Sequence, residues 1–335
     1  MRGKVIFTSA LLLGILLVSM VLTALLSGKN QKAASLSEEE DPLLVVTSFY
    51  PMYIATLNLT EGIDGITVEN LSEPQTGCLH DYQLTTQDML LLSKADVFVV
   101  NGGGIETFLS DVAESYPKLT IVNASDGEGI LLEEEEGVNA HAWMDVTRYE
   151  KQLQVIADGL IEATGDASDA GTKDFYASKE AGETTADNAS GNVNRDARDK
   201  IEQNLADYCE KLKPLKERME ALKEKVAGEN VILFHEAYAY VADALGMHVV
   251  YVMDLDEERQ VSAGEVADVV SEVKNGQVDY IFAEELYGKE MGDMVVRESG
   301  ATVLYLDTLV RGNYDADSYL LAYESNLELL EGAFQ

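Results

Sequence analysis

Histidine is scarce in this chain, cysteine is scarcer, and positive charge is in short supply. Four histidines and two cysteines stand among 335 residues, and 24 Lys and Arg face 60 Asp and Glu, a net charge of -36. A field of that sign repels nucleic acid and gathers cations, so no nucleic-acid partner is expected. Cys78 and Cys209 allow at most one disulfide, and their separation in sequence favours two unpaired thiols over a bridge. There is no HExxH, no CxxC pair, no EF-hand loop and no Walker sequence. No short motif names a chemistry, so the placement of the few histidines has to.

What is present begins with a long apolar run. Arg2 and Lys4 precede "VIFTSALLLGILLVSMVLTALLSG", which Lys29 and Lys32 close. Residues 1–28 read as a signal peptide or as a retained membrane anchor, the run being long enough for either. Both readings place the chain beyond it outside the cytoplasm. The polar, acidic residues 29–42 read as a flexible tether to the outer face of the cytoplasmic membrane.

From Leu43 onward short β-rich runs alternate with helical patterns. "LLVVTS", "ITVENL", "DVFVVNG" and "LTIVNAS" are strands, and "TTQDMLLLSKA", capped by Thr85 or Thr86, and "IETFLSDVAESY" are helices. The same order returns after Gly228 with "NVILFHE", "HVVYVMD", "VDYIFAEE" and "TVLYLDT", each followed by a helix. Glycines at 246, 276 and 300 stand where C-caps are expected. Strands alternating with helices predict an α/β fold of two similar lobes, each a small parallel sheet flanked by helices. The lobes are predicted at residues 43–164 and 228–335. Between them, residues 165–195 are low in large apolar side chains and read as a disordered insertion. Residues 196–227 carry apolar positions at i, i+3, i+4 and i+7 and predict a long linker helix, with Pro214 as a kink or a turn boundary.

Open parallel sheets bind ligands outside the carboxyl ends of their strands. His80 follows the strand "ITVENL", His141 lies beyond "LTIVNAS" and the acidic loop "GEGILLEEEEG", and His235 closes "NVILF". Three imidazoles from two lobes at such edges suit a borderline-soft divalent cation, zinc first. A fourth ligand is expected from a strand end of the second lobe. Asp307 is in the right place, with Glu284 and Glu285 as the runners-up. His248 begins a strand, at the opposite edge, and reads as a surface or core histidine.

The segments "VVTSFYPMYIATLNLTEG", "HDYQLTTQDMLLLSKADVFVVNGGGIE", "HAWMDV", "FHEAYAYVADALGM" and "ESGATVLYLDTL" occur in one order. Together they resemble the solute-binding proteins of zinc and manganese ABC transporters, the cluster A-I metal-binding family. The resemblance runs from about Leu43 to the C-terminus. It implies two lobes joined by a rigid helix, a divalent metal ion carried as cargo between them, and delivery to a membrane permease by a monomeric receptor. His80, His141 and His235 match the family's first three ligands and Asp307 its late acidic one. Histidine at the third position resembles the zinc members, whereas manganese members usually have glutamate there, so Zn2+ is expected before Mn2+. Glu106 matches the glutamate after the family's glycine-rich turn and is expected either to support the ligands from behind or to be structural, and Asp81 and Tyr82 are expected to fix the loop of His80. Cys78 is not needed for the ligand set.

The chain also departs from the family pattern. No cysteine follows the apolar run, so lipid anchoring is unsupported. Glu133 to Glu136 stand where zinc members often have a His-rich loop, and Ala140 replaces the usual proline. Two further readings compete with the transport receptor. One is a secreted zinc hydrolase using Glu236 or Glu285 as general base; the other is a metal-binding surface adhesin on the same fold.

Overall fold

The computed structural model describes residues 42–73, 80, 82–134, 137–165, 191–253, 255, 262–276 and 278–335. The apolar run, the tether up to residue 41, Cys78, Asp81 and most of the insertion expected at 165–195 lie outside the described residues. Among the described residues no helix is long and apolar enough to cross a membrane.

The first sheet holds β1 (Leu43–Thr47), β2 (Ile66–Asn70), β3 (Val97–Val100) and β4 (Thr120–Asn123), all parallel, in the order β2-β1-β3-β4. Its central strands are apolar on both faces, and all four residues of β3 are buried. That is what helices on both sides of a parallel sheet require. Those helices are α1 (Tyr50–Leu59), α2 (Thr86–Leu92), α3 (Leu109–Ser115) and α4 (Val146–Ala163). Thr85 caps α2: its side chain accepts from the Asp88 N–H, and the Asp88 carboxylate accepts from the Thr85 N–H. Tyr82 donates its hydroxyl to the same carboxylate at 3.0 Å, tying the chain after His80 to the start of α2.

The acidic stretch read as a loop is in part a hairpin. β5 (Leu132–Glu134) pairs antiparallel with β6 (Gly137–Asn139), and Glu135 and Glu136 lie outside the described residues. Its consequence is positional: β6 leads straight into His141.

The linker is α5 (Gly191–Val226), one 36-residue helix. Ile201, Asn204, Tyr208, Leu212, Leu215, Met219, Leu222 and Val226 are buried at spacings of three and four, the stripe that a helix presents to a core. Pro214 lies inside this helix and is not a turn boundary. It is exposed, so water can satisfy the carbonyl that its missing N–H leaves behind.

The second sheet holds β7 (Asn230–Leu233), β8 (His248–Val252), β9 (Tyr280–Ala283) and β10 (Thr302–Tyr305), parallel, in the order β10-β9-β7-β8. α6 (Ala239–Leu245), α7 (Ala263–Gly276), α8 (Glu285–Ser299) and α9 (Ser318–Ala333) surround it. Gly246 and Gly300 close α6 and α8 in the left-handed conformation, at φ 67° and 81°. Gly276 is different: it is the last residue of α7 itself, without a positive φ. The α/β architecture is thus two similar parallel-sheet lobes. α5 packs on α1 and α4 of the first and on α6 and α9 of the second.

Leu43–Gln335 is one compact unit, and specific bonds cross between the lobes. Tyr50 donates to Ser318 Oγ at 2.7 Å, Asn58 Nδ2 to the Ala316 carbonyl at 2.8 Å and Trp143 Nε1 to the Thr308 carbonyl at 2.9 Å. Arg148 joins Asp145, the N-cap of α4, to Asp243 of α6 and lies over the Tyr240 ring at 5.1 Å.

Candidate metal centre

His141 is the innermost member of the site. It follows β6 and immediately precedes a short 3-10 turn, Ala142–Met144, with its side chain fully buried. Behind it the Trp143 ring lies 5.1 Å away, held by Phe49 in an edge contact at 5.1 Å. A buried imidazolium is costly, so desolvation, helped by His235 and His80, holds the His141 pKa well below 6.5. This ring is a neutral base at physiological pH.

His80 brings its Nε2 within 3.3 Å of His141 Nε2. One of the two nitrogens must donate the shared proton, and a cation placed there would displace it. His80 is the outer member, with 39% of its side chain exposed against none of His141. Glu236, from the second lobe, completes the cluster. Its Oε1 lies 3.6 Å from His80 Nε2 and 3.5 Å from His141 Nδ1. Among the described residues one donor atom from each of these three comes within 4.8 Å of the others.

His235 is adjacent but oriented differently. It caps the 3-10 turn Glu236–Tyr238 by accepting the Ala237 N–H on Nδ1 at 3.0 Å, and its ring stands edge-on to His141 with centroids 5.2 Å apart. Asp307 follows β10, and its Oδ1 accepts from the Leu309 N–H at 2.7 Å. Burial raises its pKa, while that hydrogen bond and Arg311 oppose the rise. The described side-chain hydrogen bond of Asp307 runs to this turn, and its backbone N–H and carbonyl bond Asn326 of α9. Leu309 takes φ 60° there, a left-handed conformation costly for a bulky residue, with the Trp143 indole bonded to the carbonyl just before it.

The two runners-up are engaged elsewhere. Glu284 pairs with Arg311 at 2.7 Å, and the exposed Glu285 pairs with Lys289 at 3.1 Å. His248 opens β8 as an exposed residue.

Two residues of the site carried no such role in the sequence reading. Glu236 is legible in the sequence only as the neighbour of His235, where it suits a catalytic base. Asn139 gives no signal in the sequence, since an isolated asparagine carries no pattern. It bonds both to His141 and to the Glu236 carbonyl.

The family model described as zinc-uptake complex component A, periplasmic (ZnuA), matches residues 45–188 and 174–333. The chain is 25% identical over 319 residues to the manganese-binding lipoprotein MntA of Halalkalibacterium halodurans, covering 93% of this chain and 95% of that one. It is 24% identical over 300 residues to the high-affinity zinc uptake system protein ZnuA of Bacillus subtilis, covering 84% and 83%. The crystal structure of Zn(II)-bound AdcA from Streptococcus pneumoniae superimposes with a TM-score of 0.67 at 24% identity, over 88% of this chain and 58% of that longer one.

Proposed function

The chain belongs to the zinc-uptake complex component A family, and on that premise we propose that it captures Zn2+ outside the cytoplasm and delivers it to an ABC permease. The family is one of metal-binding solute receptors rather than enzymes, so the hydrolase reading is set aside. The observation that carries the proposal is the convergence of His80, His141 and Glu236 at one point. Nitrogen donors in the majority favour zinc over harder ions.

His80 and His141 bind first, from the first lobe. His235 and Asp307 are assigned as further ligands, with Glu236 supplying a carboxylate beside the imidazoles. Binding needs neutral rings, so proton competition weakens capture at low pH. The hydrogen bonds between lobes argue against a wide hinge. Loading and release instead use small movements of the outer residue His80 and of the turn bearing His235.

The Glu236 carboxylate supports a second reading, in which Mn2+ is carried instead, as the name of the Halalkalibacterium halodurans relative suggests. Elemental analysis of protein purified without added metal separates the two. One equivalent of zinc is expected, and manganese at one equivalent without zinc overturns the assignment. A competitive zinc titration of His235→Ala and Glu236→Ala tests the ligand set: affinity falls in both, and an undiminished His235→Ala sinks that residue's role.

A further inference from the structure

Asn139 is 1% exposed, at the end of β6, with its side chain between the two lobes. Its Oδ1 accepts from the His141 backbone N–H at 3.1 Å, and its Nδ2 donates to the Glu236 carbonyl at 3.0 Å. A backbone N–H can only donate and a backbone carbonyl can only accept. These two partners therefore fix which end of the amide is oxygen, an assignment otherwise open to a flip. The same Oδ1 lies 2.9 Å from His141 Nδ1. An amide oxygen only accepts, so Nδ1 carries the proton and Nε2, the atom facing His80, carries the lone pair.

His235 has the opposite arrangement. Its Nδ1 accepts a backbone N–H, so its proton sits on Nε2 for as long as that cap stands. The two histidines are thus not equivalent: one is set in advance to give Nε2 to a cation, and the other must first leave its cap or turn its ring. Asn139 is itself held in place, because Tyr240 of α6 donates its hydroxyl to the Asn139 carbonyl and accepts the Leu132 N–H of β5 at 3.0 Å.

Building on the reading of the site as a metal receptor, we propose that Asn139 is a positioning residue for capture. It locks His141 in the Nδ1–H tautomer and ties that ring to the second-lobe turn bearing His235 and Glu236. Aspartate at this position separates the two roles. It keeps an acceptor for His141 Nδ1–H but offers no donor to the Glu236 carbonyl.

The test uses the metal-free full chain labelled with 15N in the histidine rings, whose four spin systems are resolved by long-range 1H–15N correlation, with His141 assigned from His141→Gln. At a pH where the ring is neutral, the wild type is expected to show His141 as Nδ1–H, and Asn139→Asp to keep it. Asn139→Ala is expected to shift toward Nε2–H and to lose about 10–100-fold in zinc affinity, while Asn139→Asp retains its affinity and, like Asn139→Ala, melts earlier than the wild type. An Nε2–H His141 in the wild type, or an Asn139→Ala protein with unchanged tautomer and affinity, overturns the proposal. Should Asn139→Ala fail to fold, the wild-type and Asn139→Asp spectra still decide it. A wild type that binds no zinc defeats the receptor reading, whereas the tautomer measurement stands on its own.

Discussion

Glu106 is a buried carboxylate, at 4% exposed, that joins the segments following β1 and β3. Ser48 Oγ and the Asn101 N–H donate to its Oε1 at 2.8 and 2.7 Å, and the Gly102 N–H donates to its Oε2 at 2.9 Å. Burial raises its pKa and these donors resist the rise. They anchor the turn after β3, where Gly103, at φ 67°, approaches the Ala140 Cα so closely that an added Cβ would lie 3.1 Å from it. Glu106→Ala strands three buried donors and is expected to cost about 3 kcal/mol in urea unfolding. His141 gives a pH prediction. Its folded pKa lies below the unfolded value of about 6.5, so below that pH the unfolded chain binds a proton that the folded one excludes. Stability is unaffected above pH 7 and is lost as pH falls through 6.5 and below. The measurement is a difference, which isolates His141 from every other group. Between pH 7 and 5 the wild type should lose more unfolding free energy than His141→Gln, by up to about 1.4 kcal/mol per pH unit.

At the scale of elements, α5 decides how the lobes are held. Its buried stripe gives both lobes one shared, largely apolar face, while most of its other described positions are charged. Pro214 on the exposed side is the weak point, since an interior proline costs a helix about 3 kcal/mol relative to alanine. Proline also stiffens the unfolded chain, which offsets part of that. Pro214→Ala is therefore expected to stabilise the protein by about 2 kcal/mol, read as a higher denaturant midpoint at unchanged m-value. The β5–β6 hairpin has the other positional role, because its exit fixes where His141 enters the site.

At the scale of the whole molecule, the candidate ligands come from both lobes, so on the proposed reading metal binding is coupled to the stability of the single unit Leu43–Gln335. Zinc at one hundred times its dissociation constant should add about 2.7 kcal/mol. Calorimetry should show that gain as one transition moved to higher temperature, and His80→Ala/His141→Ala should abolish the shift. A shift confined to part of a split transition would mean that the lobes unfold separately. The net charge of -36 acts at this scale as well, raising the local concentration of cations around the receptor.

The sequence by itself determined the two-lobed α/β plan, because short β-rich runs and period-3.6 patterns are local and alternate on both sides of the insertion. It also pointed to His80 and His141, since their rarity and their places after strands can be read without coordinates. Other features were decided by the tertiary structure. Glu236 stands beside those imidazoles through the packing of a second-lobe turn on a first-lobe hairpin, a contact between residues 97 apart in the case of Asn139 and Glu236. His235 is turned into its own cap by a backbone bond that no side-chain pattern encodes. Asp307 accepts the N–H of Leu309, two residues on, in a turn where that leucine is left-handed. A strand's position follows from its own few residues, whereas the direction of a side chain at its end depends on which distant backbone group reaches it first.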